Sequence, residues 1–349
     1  MIELVGVSKK FGEIQALRDV SLTVRRGELL TVLGSNGSGK TTLLKILAAL
    51  ETPSEGVILL EGSRIDKANV SEIRRRITMV FQRTVVFRGS VHHNVAYGLR
   101  LRDFKGEEVH RRVEEALDLM GLRDLRHRNA KSLSGGEQKR LSLARALVLN
   151  CDLLLLDEPL VNLDPESLSI VTNMIRRLNE ETDTAVVMAT HNLGHAKELS
   201  ERLVLLERGE VVEVGRAIDL LGAPSIEMSR FARSENTFSG DACLIEGFSH
   251  IDVGEGVMVR ASFGSEGRVT IQIRPEDIIL SKHKIESSAR NTLRGRIVRM
   301  EDRGSVVRLK VDVGRVFTVQ ITRKSLVEMG LNIGQDIYLT FKASSVQLI

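Results

Sequence analysis

Apolar positions follow two rhythms along this chain. Leu29 to Leu33, Leu153 to Leu156 and Ala185 to Ala189 are short, unbroken apolar runs. Such runs predict strands buried on both faces, as parallel sheets require. Thr41 to Leu50, Glu107 to Met120, Gln138 to Leu149 and Pro165 to Glu181 carry helical patterns, the last opened by proline. The alternation predicts an α/β domain with a mainly parallel sheet over residues 1–230. After Arg230 the rhythm changes. Val257–Val259, Val269–Ile273, Gly295–Met300, Val306–Val311 and Val316–Ile321 alternate with short glycine-bearing turns, and helix signals nearly vanish. Pro275 interrupts one strand pattern, and Asp336 to Ile349 carries the last strands. Residues 231–349 therefore read as a small all-β barrel of the oligonucleotide/oligosaccharide-binding type.

A length of 349 residues suits two domains. The formal charge of +4 is unevenly spread: from Arg290 onward, 11 Lys and Arg face 5 Asp and Glu. The basic end could meet nucleic acid, anionic lipid or small anions. Aromatic residues are only 3% and Trp is absent, so few platforms exist for stacking single-stranded nucleic acid. Cys151 and Cys243 suggest neither a disulfide framework nor a metal cluster, which fits a reducing cytoplasm. No apolar run approaches the roughly 20 residues of a membrane span, and no signal peptide precedes Ile2. Work at a membrane would need partners that supply the spanning part.

Gly34-Ser35-Asn36-Gly37-Ser38-Gly39-Lys40-Thr41-Thr42 follows an apolar strand and opens a helix, which is the setting of a P-loop. Glycines let the backbone curl so that N–H groups face phosphates, and the helix N-terminus adds positive partial charge. Lys40 is expected to reach the β- and γ-phosphates of ATP, and the Thr41 hydroxyl to hold Mg²⁺. Leu153 to Leu156 then delivers Asp157 and Glu158 at the carboxyl end of a buried strand. Asp157 is expected on Mg²⁺, through water, and Glu158 on the attacking water.

Leu133-Ser134-Gly135-Gly136-Glu137-Gln138 lies shortly before that strand, and here the sequence resembles the ABC ATPases. The resemblance covers about Met1 to Arg230. It implies that Ser134, Gly135 and Gly136 meet the γ-phosphate held by the opposite subunit of a homodimer. It also implies that Phe11 stacks on adenine, where Tyr is commoner. Gln82 would link Mg²⁺ and water to the membrane partner, and His191 would contact the γ-phosphate. Val161-Asn162-Leu163-Asp164 matches the loop crossing the dimer interface, with Val161 where a small residue is usual.

Arg230 to Gly240 and Ile273-Arg274-Pro275-Glu276-Asp277 resemble segments of the accessory β-domains on importer ATPases, which occur with many cargoes. Residues 288–349 resemble the molybdate-binding Mop domain, through Ser288-Ala289-Arg290-Asn291, Ile321-Thr322-Arg323-Lys324-Ser325 and Phe341-Lys342-Ala343-Ser344-Ser345-Val346. That resemblance nominates Ser288, Arg290, Thr322, Ser325, Lys342, Ala343 and Ser344 for an oxyanion held where two such domains meet. Hydroxyls and N–H groups suit a tetrahedral dianion, and Arg290 and Lys342 can balance its charge without a metal. Phe87 to Leu99 also resembles tungstate-type importer ATPases. Its His92 and His93 show no metal partner in the sequence and read as structural or surface residues.

Together these resemblances imply a homodimeric ATPase at the cytoplasmic face of the membrane. It would drive two permease subunits, fed by an external binding protein, to import molybdate or tungstate, with feedback from cytoplasmic oxyanion. The alternative cargoes are sulfate, sugar or iron. An oxyanion sensor or transcriptional regulator would need a helix-turn-helix region, which is not apparent, and no nucleic acid partner is expected. A soluble ABC protein of DNA repair or translation would show paired ATPase halves or coiled-coil insertions, and neither appears.

Overall fold

Strand β1 (Ile2–Phe11) pairs antiparallel with β2 (Ile14–Val24), the start of a structure determined as a computed structural model. It describes residues 1–161, 163–222, 225, 227–228, 231, 236–302 and 306–348. Strands β3 (Leu29–Leu33), β4 (Glu55–Leu60), β5 (Ser63–Arg64), β6 (Ile77–Val80), β7 (Leu153–Asp157), β8 (Ala185–Thr190), β9 (Arg202–Glu207) and β10 (Glu210–Arg216) complete two sheets. One is antiparallel, in the order β2-β1-β4-β5. The other runs β10-β9-β3-β8-β7-β6, with its pairings parallel except at the β10 edge.

The unbroken apolar runs follow from what covers the parallel sheet. Leu30, Val32, Leu153, Leu155 and Val187 face a core shared with the antiparallel sheet and helix α1 (Lys40–Leu47). Leu29, Leu154, Leu156, Val186 and Met188 face the opposite core. That core is completed by α3 (Val91–Arg100), α4 (Gly106–Leu119), α5 (Gly135–Leu147) and α6 (Pro165–Glu181). The short helices α2 (Val70–Arg76), α7 (Leu193–Leu199) and α8 (Ala217–Gly222) complete this unit. Truncating a side chain such as Leu155 to Ala would cost about 2–5 kcal/mol through lost burial and the cavity left behind.

The chain separates into two units, Met1–Pro224 and Ser225–Ile349. The expected boundary at 230/231 lies beside residues outside the described set, as do parts of two matched segments: Arg230, Ala232 to Glu235, and Asn162. Unit two holds β11 (Thr237–Ile245), β12 (Phe248–Asp252), β13 (Met258–Ala261), β14 (Gly267–Ile273), β15 (Ile279–Ser281) and β16 (Asn291–Asp302). It continues with β17 (Val306–Asp312), β18 (Val316–Thr322), α9 (Arg323–Met329), β19 (Asp336–Phe341) and β20 (Val346–Leu348). Two five-stranded antiparallel sheets, β13-β12-β11-β14-β20 and β15-β19-β16-β17-β18, enclose one core around Phe317, Phe341, Ile271 and Ile337. Pro275 opens a 3₁₀ turn over Pro275–Asp277 instead of continuing a strand. The helix α9 was hidden by the strand pattern on either side; Thr322 caps it by accepting from Ser325 N–H at 3.1 Å. No helix among the described residues is long and apolar enough to cross a membrane.

Candidate functional site

Parallel register puts four strand ends side by side. Val80 of β6 is level with Leu156 of β7, Asp157 with Ala189 of β8, and Thr190 with Leu33 of β3. The segments just beyond those strands are Gln82, Glu158, His191 and the Gly34–Thr42 loop, so residues scattered over more than 150 positions share one sheet edge.

The loop curls where glycine is required. Gly39 has φ 106° and caps α1, and a Cβ there would stand 2.6 Å from Ala16 O. Lys40 is buried and donates to Gly34 O at 2.7 Å and Ser35 O at 3.1 Å, so its ammonium spans the loop's own carbonyls. The Ser38 hydroxyl is buried with no hydrogen-bond partner among the described residues, an orphan that suits an incoming phosphate oxygen. Asn36 and Gly37 are exposed, and Ser35 and Thr42 are half-buried. This arrangement can bind a phosphate through N–H groups at the start of α1.

Thr41 Oγ1 donates to Asp157 Oδ2 at 2.8 Å. Burial pushes the Asp157 carboxyl up, against the Thr41 hydrogen bond. A hydroxyl and a desolvated carboxylate form a hard-oxygen pair that fits Mg²⁺.

Beyond Asp157 the backbone turns sharply. Glu158 has φ 47°, an uncommon conformation for a residue with a side chain, and its N–H donates to Ala189 O at 2.9 Å. The turn delivers its carboxylate to the end of β8. Oε1 lies 2.7 Å from His191 Nδ1 and 3.8 Å from Lys40 Nζ, and Oε2 accepts from Thr190 Oγ1 at 3.2 Å. Burial alone would push Glu158 up, but His191, Lys40 and Thr190 together hold it below the usual carboxylate range.

Lys139 and Thr190 had no assigned role in the sequence. Lys139, on the inward side of α5, is buried with Nζ 3.3 Å from Glu158 O, 3.4 Å from Gln82 O and 3.5 Å from Phe81 O. Burial lowers its pKa, against the pull of Asp157 and Glu158. The signal was a lysine at an inward helical position, three residues after Gly136.

Ser134 caps α5 in a capping box: its hydroxyl accepts from Glu137 N–H at 3.2 Å, while its own N–H donates to Glu137 Oε2 at 2.7 Å. Gly135 is exposed with open space where a Cβ would stand. At Gly136 a Cβ would lie 2.5 Å from Asp164 Oδ2 and 2.7 Å from Ser167 Oγ, so the turn packs on the start of α6. Helix α5 thus begins at Gly135, three residues before its apolar periodicity does. Phe11 is 46% exposed, with Lys9 Nζ 4.8 Å from its ring centre. An exposed ring at a strand end is free to stack and is no core residue. Gln82 is exposed as well.

In unit two, Asn291 pairs with Phe341. Arg290 and Lys342 therefore emerge side by side, both exposed, and neither side chain has a hydrogen-bond or ion-pair partner among the described residues. Ser288 and Ser344 are exposed near them, and Ala343 is buried with its carbonyl accepting from Ser262 N–H at 3.1 Å. Thr322 and Ser325 sit elsewhere. Thr322 pairs with Val306, next to the Val307–Asp302 pair at the far end of β16. Their hydroxyls are 2.8 Å apart. The register separates the seven nominated residues into two groups, at opposite ends of a 12-residue strand.

A phosphate-binding loop, a buried strand ending in Asp-Glu and a Ser-Gly-Gly helix cap define an ATPase of the ABC class. The family model described as ABC transporter matches residues 17–161, and the TOBE domain model matches residues 287–348. The molybdate/tungstate import ATP-binding protein WtpC of Pyrococcus abyssi is 35% identical over 100% of both chains. The Fe(3+) ions import ATP-binding protein FbpC of Escherichia coli O157:H7 is 37% identical over 82% of this chain and 81% of its own. Among solved structures, a dimeric post-hydrolysis ATP-binding cassette bound to ADP and Pi is 32% identical. It covers 62% of this chain and 99% of that one, with a TM-score of 0.57. The chain belongs to the ATP-binding subunits of ABC importers: an ATP hydrolase with a C-terminal TOBE domain.

Proposed function

We propose that this chain hydrolyses MgATP at the edge of its parallel sheet and so energises import of molybdate or tungstate through two membrane permease subunits. The observation that carries the ATPase part is the meeting of Lys40, Thr41, Asp157, Glu158 and His191 at adjacent strand ends. Mg²⁺, when bound with ATP, neutralises charge on the phosphates. Thr41 and Asp157 would hold it, and Gly34 to Thr42 would wrap the phosphates. Lys40 leaves its loop carbonyls for the β- and γ-phosphate oxygens. Glu158, kept ionised, accepts a hydrogen bond from the attacking water. His191 holds that carboxylate and reaches the γ-phosphate. Phe11 stacks on the base, and Gln82 carries the state of the site toward the permease.

Ser134, Gly135 and Gly136 act on the nucleotide of a second copy, in a homodimer at the cytoplasmic face of the membrane. An external oxyanion-binding protein supplies the cargo. The full-length likeness to the Pyrococcus abyssi protein and the adjacent, exposed Arg290 and Lys342 support molybdate or tungstate. The likeness to the iron importer subunit keeps iron as the second reading. Cytoplasmic oxyanion bound between two C-terminal units would then restrain closure. Calorimetric titration of the full chain with molybdate, tungstate, sulfate and phosphate tests the cargo class. Binding of the first two that weakens in Arg290→Ala supports it; no binding of any of the four removes the cytoplasmic oxyanion site and its support for this cargo, and leaves the ATPase.

A further inference from the structure

We propose that His92, His110 and Glu114 form a binding site for a divalent transition-metal ion of the zinc class, bridging α3 and α4. Nothing in the sequence joined these residues, because His92 lies on one helix and its partners lie 18 and 22 positions further on another. In the fold, one ligand atom from each side chain lies within 4.8 Å of the other two. His110 and Glu114 are one turn apart on α4, so both project from one face. His92 stands in the first turn of α3, where its N–H donates to Arg126 O at 2.9 Å. The two imidazole rings are 6.4 Å apart, centre to centre.

Zinc takes nitrogen and carboxylate oxygen at about 2.0–2.1 Å, which sets tetrahedral ligand edges at roughly 3.3 Å. Side-chain torsions of this half-exposed trio can supply the contraction of an ångström or so. Two imidazoles with one carboxylate select borderline transition metals over Mg²⁺, which prefers oxygen alone. Three protein ligands leave a fourth position for water. The competing partner is weak. Arg123 Nε lies 3.7 Å from Glu114 Oε2, a loose surface contact, and the same guanidinium has Asp118 at 3.6 Å to turn to.

A metal here would tie the first turn of α3 to α4. Asn94 already holds the entry to α3: it accepts from Phe87 N–H at 2.8 Å and donates to Phe87 O at 3.2 Å and Ser90 O at 3.0 Å. The ion would add a second anchor to the segment from Gln82 to Gly98. Any effect on the permease rests on that segment being its docking site; the metal site itself does not.

The test uses the full chain, stripped with a chelator and titrated calorimetrically with Zn²⁺ in excess MgATP, so that the oxygens of Thr41 and Asp157 would be taken. His110→Ala and Glu114→Gln are the variants, and both wild-type positions are at least partly exposed. The expected result is one zinc per wild-type chain that is lost, or weakened at least tenfold, in each variant. Co²⁺ should give a visible absorption band in the wild type that disappears in His110→Ala. Melting in chelator should match between the variants and wild type, which separates ligand loss from misfolding. A wild type that takes up no zinc overturns the proposal. So do variants that keep the wild-type stoichiometry, affinity and cobalt band.

Discussion

Nδ1 of His191 lies 2.7 Å from Oε1 of Glu158, with both side chains almost completely buried. A carboxylate in that setting is held by its partners, so its role can be tested by removing charge without shape. Glu158→Gln should keep MgATP affinity within a few-fold and lower turnover by about 10²–10⁴, the usual range for a positioned base. The pH profile should agree. Glu158 is held below its ordinary pKa, so its ionised form contributes stability above the unfolded value near 4.5 that is lost as pH falls through the lower folded value. Asp157 is shifted the opposite way, so acid should reach Asp157 first. Lowering pH should therefore weaken Mg²⁺-dependent nucleotide binding before it disables Glu158. Turnover of Glu158→Gln close to wild type would contradict the role given to this residue.

Lys139 binds three backbone carbonyls from two segments that end at the nucleotide site. Lys139→Met keeps much of the side-chain length but leaves the Phe81, Gln82 and Glu158 carbonyls without their donor. An unmet buried acceptor costs about 1–3 kcal/mol, which should appear as a lower unfolding midpoint. A positioning role predicts more than instability. ATP binding should persist, permease-stimulated kcat should fall more than KM changes, and Lys139→Arg should restore part of it. If kcat and KM of Lys139→Met are unchanged after correction for folded fraction, Lys139 only stabilises the fold.

The two halves of the site were unequally legible in the sequence. The P-loop, the Asp157-Glu158 strand end and the helix cap at Ser134 are contiguous motifs, and contiguous chemistry can be read directly. The parallel sheet was legible because Leu153 to Leu156 must be buried on both faces. Of the antiparallel sheet built on β1 and β2 only the strand-like stretch Ile2 to Val5 was legible, since its strands mix buried and exposed positions. Lys139 and the His92–His110–Glu114 group depend on how helices pack, which no local pattern encodes. The turn at Glu158 was equally hidden, because no glycine marks its positive φ and its hydrogen bond to Ala189 is a contact between distant segments.

The proposed composite sites can be tested through Ser134. Its hydroxyl and N–H are committed to Glu137, and Gly135 faces open space, so the cap presents its backbone outward. Chains carrying Lys40→Ala and chains carrying Ser134→Arg should each bind an ATP analogue productively at no complete site. Mixed, they should form heterodimers with one intact site, read as half the wild-type number of occluded nucleotides per dimer. A mixture that occludes none excludes the head-to-tail arrangement.

The proposed oxyanion site makes the most demanding prediction, because the register of β16 divides its nominated residues. Arg290 and Lys342 lie at one end of that strand and Thr322 and Ser325 at the other, with 12 residues rising roughly 3.3 Å each between them. A site using both groups therefore needs two chains. Oxyanion binding should then be coupled to dimerisation: molybdate or tungstate should tighten self-association of the full chain, while sulfate should do so less. Arg290→Ala removes one of two adjacent cations and should weaken binding by about tenfold or more, since a charge-assisted contact contributes roughly 1.5–3 kcal/mol. If bound oxyanion favours the open ATPase, each tenfold preference adds about 1.4 kcal/mol of bias against closure. ATPase activity of the reconstituted transporter should accordingly fall with internal molybdate in the wild type. In Arg290→Ala it should fall only at higher concentration, with basal turnover unchanged. Equal inhibition of both would move the inhibitory site away from Arg290, and binding that is independent of protein concentration would refute a site shared between chains.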